Sequence, residues 1–240
     1  MTEPFRWKNC FADVVSSSYG KTAQSFLDDV ASPALATLDA QIAKLQASED
    51  ELDAFVASDV QDLRRATTMA FCLSIQSLWE LQIRAYLKGC ARELKKDELA
   101  KRTLKARWDE LDDIFRTLRG IALKDFKEHP DLDFLQLLGN ACRHGDGPSL
   151  EKLSSAHPEL WPQFNTPQLP PIDDFWSFPP AQPTIDNIEI PVELLSRFVR
   201  AIVSFWEEAE YIYEESIERK HPSLERQLVK KRLERANRMR

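Results

Sequence analysis

Glycine is scarce, with six in 240 residues. Sandwiches, barrels and phosphate-cradling Gly-rich loops all need glycine where the backbone turns sharply, so this scarcity disfavours them. Histidine is scarcer still, at four. His129, His157 and His221 each precede proline and read as helix boundaries, and no two histidines have ligand spacing, so no metal site is expected. The four cysteines, Cys10, Cys72, Cys90 and Cys142, show neither CxxC nor any metal-like spacing. That pattern reads as free thiols in a reducing, cytoplasmic compartment. The opening "MTEPFRWKN" has no apolar signal region. The most apolar window, Ala66 to Ile83, is broken by Thr, Ser, Gln and Glu80 and falls short of the roughly 20 apolar residues of a membrane span. It reads as a buried helix, and no membrane partner or cofactor is expected.

What remains is 43% hydrophobic and 30% charged residues, enough for one sizeable core. The expected fold class is all-α, a helical bundle in a single domain over 1–240. Residues 1–48 hold an N-terminal extension and a first helix starting at Ser32-Pro33. The core lies in 49–155 and 192–219. "SEDE" (Ser48 to Glu51) has the form of a capping box and opens a long helix running to about Leu94. Leu104, Trp108, Leu111, Ile114, Phe115 and Leu118 make a third helical stripe that Gly120 stops. His129-Pro130 starts a fourth helix that ends at Gly145, and a short one follows around Leu150 to Ser155. Residues 156–191 form a Pro- and aromatic-rich insertion carrying Trp161, Phe164, Phe175, Trp176 and Phe178. Those rings are expected to pack as an ordered loop, followed by a brief strand in "TIDNIEIP". In the last core helix Leu195, Phe198, Ile202, Phe205, Ala209 and Ile212 face in, while Glu207, Glu208, Glu210, Glu214 and Glu215 face out. The formal charge of -7 hides a basic tail over 220–240, which reads as a solvated helix, or else as a phosphate-contacting arm.

One stretch concentrates polar chemistry at the end of an apolar helix: "LLGNACRHGDG". Asn140 and His144, four apart, share one helix face, and Arg143 lies about a hundred degrees from His144. A histidine can move a proton near neutrality, a guanidinium can stabilise phosphoryl charge, and an amide can position a ribose. A second polar stripe, Gln76, Glu80, Arg84 and Lys88, lies on the long helix, where Glu80 and Arg84 supply supporting roles or a plain i, i+4 ion pair. His144 and Arg143 equally suit a helix C-cap, and Asp146 a turn.

At "GNACRHG" the sequence resembles the HEPN superfamily, all-helical domains whose signature is Arg, a polar residue that is often Asn, three further residues, then His. Asn140 and His144 match that pattern, and Gly139 stands where the arginine belongs. The resemblance implies a homodimeric helical protein of a bacterial toxin or antiviral-defence type. In catalytic members it implies metal-independent RNA cleavage by 2'-hydroxyl attack to a cyclic phosphate. His144 would then be the acid/base group, Asn140 the positioning group, and Arg143 or Arg84 the cation, with Glu80 and Asp146 in support. Because Gly139 replaces the arginine, two readings stand beside the endoribonuclease: a non-catalytic module binding RNA, a nucleotide or a partner protein, and a structural assembly subunit.

Overall fold

The computed structural model describes residues 4–164 and 182–238. Among them the regular elements are helical and no strand is present, as the all-α reading expects. No helix among them is long and apolar enough to cross a membrane. The contacts gather into two compact units. Unit 1 comprises Met1–Gln24, Leu78–Pro130 and Arg200–Arg240, and unit 2 comprises Ser25–Ser77 and Asp131–Val199.

The chain turns helical well before Ser32. Helix α1 (Phe11–Val15) opens where the Asp13 carboxylate accepts the Cys10 N–H at 2.8 Å. Helix α2 (Tyr19–Ser25) follows, and a π-wound segment (Phe26–Ala31) leads into α3 (Ser32–Gln46). Pro33 has no N–H to donate to the Asp29 carbonyl, and the wider winding just before it absorbs the missing bond. The proline therefore sits inside a helical run rather than opening it. The long helix α4 (Glu51–Glu93) starts two residues later than the capping box implied: Asp50, not Ser48, accepts the Leu52 N–H at 2.9 Å.

Unit 1 contains the C-terminal part of α4, α5 (Asp97–Thr103) and α6 (Trp108–Arg119), which Gly120 ends in the left-handed conformation at φ 77°. Leu104 falls outside α6, exposed at the end of α5. The core of this unit is aromatic. Trp79, Phe205 and Trp206 pack edge to face or tilted, and Phe126 lies 4.7 Å from Phe205, geometries that add to the burial of large apolar area. Unit 2 contains α3, the N-terminal part of α4, α7 (His129–His144) from Asp131 on, and α8 (Pro148–Ala156). Leu35, Ile75, Leu135, Leu138, Leu153 and Trp161 are buried there. The two described ends of the insertion are strapped together: Trp161 Nε1 donates to the Thr184 carbonyl at 2.9 Å and the Glu189 N–H to the Leu160 carbonyl at 2.8 Å. The strand expected at "TIDNIEIP" is instead a 3-10 turn, Ile185–Asn187, because the Asn187 side chain accepts the Thr184 N–H and curls the chain. Phe175, Trp176 and Phe178 lie outside the described residues.

The inward stripe of α9 (Val192–Ser216) is buried as its periodicity requires. Its acidic face is not simply solvated, since α10 (Pro222–Arg238) lies along it. Lys231 pairs with Glu214, Arg235 with Glu208, and Arg232 with both Glu215 and Glu225. The basic tail is thus a helix whose cations are largely neutralised within the chain, with Leu228 fully buried beneath it. Arg232 donates to both Glu215 oxygens at 2.6 Å and holds that carboxyl below the usual carboxylate range. A depressed folded pKa contributes stability that is present above the unfolded value of about 4.3 and is lost as pH falls through the folded value. We expect α10 to detach as acid takes the pH below the ordinary carboxylate range, seen as loss of amide protection at Leu228. Glu215→Gln is expected to remove that step and to cost about 1–2 kcal/mol at pH 7, a figure already discounted because Arg232 is a third exposed.

Candidate functional site at the end of helix α7

Helix α7 ends where Gly145 takes φ 68° and returns its N–H to the Ala141 carbonyl at 2.9 Å. A side chain at that position would be strained, so the glycine lets the chain leave the helix and expose its last turn. On that turn Arg143 and His144 are exposed and Asn140 is half-buried. Arg143 donates an Nη2 hydrogen to Gln76 Oε1 at 2.8 Å, and Gln76, fully buried on α4, donates Nε2 to Gln136 at 3.1 Å. The guanidinium is therefore braced from the interior through two amides while its outer nitrogens face solvent.

The reason Gln76 can reach across is Gly139. A Cβ there would lie 2.7 Å from Gln76 Cγ and 2.9 Å from its Cβ, so only glycine permits α7 to approach α4 this closely. The arginine implied by the resemblance has no room at 139, and the cation of this helix end comes from Arg143 one turn later. Cys142 contacts the buried Cys72 thiol across the same pair of helices; that hydrogen bond and burial push the Cys72 thiol well up.

The other site residues have settled structural tasks. Asp146 Oδ1 accepts the Ile185 N–H at 2.8 Å and pins the Ile185–Asn187 turn, whose Asp186 carbonyl also accepts from Arg65. Glu80 and Arg84 belong to unit 1. Every Arg84 nitrogen is engaged: Nε and Nη2 with Glu80, Nη1 with the Thr103 carbonyl, Nη2 also with that of Ala106. Arg84 is a staple for the α5–α6 connection, and that task rather than phosphate binding accounts for its geometry.

The four histidines divide sharply. His129 stacks on Trp108, His157 lies 3.5 Å over Phe134 with Nδ1 on Glu159, and His221 Nδ1 meets the Ser223 hydroxyl. His144 alone has no partner among the described residues. Its neighbours Arg143 and Asn140 lie within one turn of it at the end of the helix. This arrangement offers an imidazole, a braced cation and an amide without a hydrogen-bond partner among the described residues, together on the last turn of one helix. Among the described residues no cluster of three metal-ligating side chains is present.

A second polar cluster escaped the sequence reading altogether. In unit 1 the Arg119 guanidinium and the Asp13 carboxylate, 0% and 1% exposed, form an ion pair at 2.5 Å. Asp13 Oδ1 also accepts the Tyr86 hydroxyl at 2.9 Å, and Arg119 donates to the Lys8 carbonyl at 2.8 Å. The cation lies over the Trp7 and Tyr86 rings, 4.6 and 4.9 Å from their centroids. Its Nη2 is shared with two sulfurs, Cys10 at 3.1 Å and Cys90 at 2.9 Å, which are 3.3 Å from each other.

No protein-family model, curated protein or solved structure matches this chain.

Proposed function

We propose that this chain is a HEPN-like helical protein of the bacterial defence or toxin type that binds RNA or a nucleotide at the C-terminal end of α7. The observation that carries the reading is the trio on that last turn: His144 without a partner among the described residues, Arg143 braced by buried Gln76, and Asn140 half-buried beside them. Helix C-terminal carbonyls repel phosphate, so an anion at this position has to be held by side chains, and the two that can carry positive charge are adjacent. Asn140 adds a donor and an acceptor suited to a ribose or a base edge. On the basic α10, Lys231, Arg232 and Arg235 are already engaged with carboxylates of α9 and with Glu225, which leaves less of its charge for this role.

Binding is tested by fluorescence anisotropy with a labelled single-stranded RNA in low salt. Arg143→Ala and His144→Ala are expected to weaken binding about tenfold each, equivalent to about 1.4 kcal/mol. Affinity unchanged by both substitutions overturns the reading.

A second reading, metal-independent endoribonuclease, is favoured by the accessible imidazole. It requires the 2'-hydroxyl to attack the adjacent phosphorus with His144 moving the proton, which DNA cannot support. Under this reading RNA incubated in chelator yields cyclic phosphate ends, and His144→Ala slows the reaction by at least about a hundredfold. Intact RNA under those conditions leaves the binding module and rejects the nuclease. The resemblance also implies a homodimer, which light scattering of the purified chain checks directly.

A further inference from the structure

We infer that Cys10 and Cys90 form a peroxide-reactive dithiol in which Cys10 is the attacking sulfur, Cys90 the resolving sulfur, and an intramolecular disulfide the product. The geometry is unlike that of thiols that merely fill a core. The two sulfurs touch at 3.3 Å, one guanidinium nitrogen is shared between them, and Arg119 Nε is buried with no partner among the described residues. A fixed cation between two sulfurs stabilises a thiolate on either and the charge that passes between them during exchange.

The environments of the pair are pushed apart in the way that separates an attacking group from a resolving one. The hydrogen bond with Cys90 pulls the Cys10 thiol down and the Arg119 charge adds to it, against the opposing effect of burial. Burial pushes the Cys90 thiol far up. Access follows the same order: Cys10 keeps 8% exposure and Cys90 has none, so a small oxidant meets Cys10 first. Cys72 and Cys142, the other thiol pair, share no guanidinium among the described residues, and Cys72 is pushed up rather than down.

The co-reactant is a hydroperoxide, and the electrons balance in two steps. The Cys10 thiolate attacks the terminal peroxide oxygen; an S–O bond forms, the O–O bond breaks, and the leaving oxygen departs as water or an alcohol after taking a proton. Cys90 sulfur then attacks the Cys10 sulfenic sulfur; the S–S bond forms, the S–O bond breaks, and hydroxide leaves with the Cys90 proton as water. Two thiols and hydrogen peroxide thus become one disulfide and two waters.

The test treats the full chain with a few equivalents of hydrogen peroxide, alkylates what remains, and maps the digest by mass spectrometry. The expected product is a Cys10–Cys90 linked peptide, lighter by two hydrogens, reversed by a dithiol reductant and at least about tenfold more abundant than a Cys72–Cys142 link. In Cys90→Ser the reaction should stop at a sulfenic acid on Cys10 that a 1,3-dione traps and that wild type does not accumulate. Three outcomes overturn the proposal: both thiols still alkylated after peroxide, Cys10 driven to sulfinic or sulfonic acid without a link, or Cys72–Cys142 as the pair that closes. The wild-type map decides between these even where Cys90→Ser fails to fold.

Discussion

Asp13→Ala is expected to destabilise unit 1 by about 3–5 kcal/mol, because it leaves a guanidinium buried without its carboxylate. Both carboxylate oxygens of Asp13 are occupied: Oδ2 by the Cys10 N–H, Oδ1 by Tyr86 and Arg119. Truncation therefore removes a helix cap, orphans a hydroxyl and strips the counter-charge from a fully enclosed cation in one change. Arg119 cannot escape by losing its proton, since a guanidinium stays charged in any accessible range. It also cannot swing into water, being packed between the Trp7 and Tyr86 rings. Asp13→Asn keeps the shape but only one acceptor oxygen, so it preserves either the cap or the bonds from Tyr86 and Arg119, and is expected to fall between wild type and Ala. Adding Arg119→Met to Asp13→Ala should recover at least about 1 kcal/mol, because an apolar chain of similar reach removes the uncompensated charge. Urea unfolding followed by tryptophan fluorescence reads these differences as shifts in midpoint at constant slope. A cost below about 1 kcal/mol for Asp13→Ala means the pair is not the anchor its enclosure implies.

That cluster also shows where a sequence stops being readable. Elements governed by local periodicity were legible: the apolar stripe of α9, the stop at Gly120, and the end of α7 at Gly145 all follow from spacing and from glycine's access to positive φ. Elements set by partners far along the chain were not. Glu208, Glu214 and Glu215 read as a solvated face until Arg235, Lys231 and Arg232 are laid against them from a second helix. Pro33 reads locally as the first turn of a helix, yet the chain is helical from Phe11 to Gln46 because Gly20, Ala23, Leu27, Ala31 and Leu35 bury one face. At the candidate site the adjacency of Arg143 and His144 was legible, and Gln76 stood in the polar stripe of the long helix, but spacing alone did not single out Gln76, rather than Glu80 or Arg84, as the residue that meets Arg143. For the dithiol one signal existed. Arg119 lies one turn beyond Phe115 on the core face of α6, and a charge at such a position needs buried partners. Nothing in the spacing of Cys10, Asp13 and Cys90 names them as those partners.

Gly139→Arg, which would restore the residue that the resemblance calls for, is expected to disrupt unit 2 rather than create a nuclease. A Cβ alone at 139 meets Gln76 at 2.7 Å, a distance real side chains do not tolerate, and what it meets is the inner, inflexible part of a fully buried side chain. Moving Gln76 breaks its hydrogen bonds to Arg143 and Gln136 at about 1 kcal/mol each, and forcing α7 from α4 adds about 1–3 kcal/mol of overpacking. Desolvating the new guanidinium comes on top, while the gain in helix propensity over glycine returns only about 1 kcal/mol. The net expectation is a loss of about 3 kcal/mol or more, with Gly139→Ala, which adds only the methyl, losing about 1–2 kcal/mol. The functional corollary is specific: Gly139→Arg should bind RNA more weakly than wild type, because the displaced Gln76 no longer braces Arg143. Denaturant unfolding monitored near buried Trp161, alongside the RNA anisotropy assay, checks both arms. A Gly139→Arg protein as stable as wild type that cleaves RNA would mean that α7 can stand off from α4, and that glycine at this crossing records lost chemistry instead of a packing requirement.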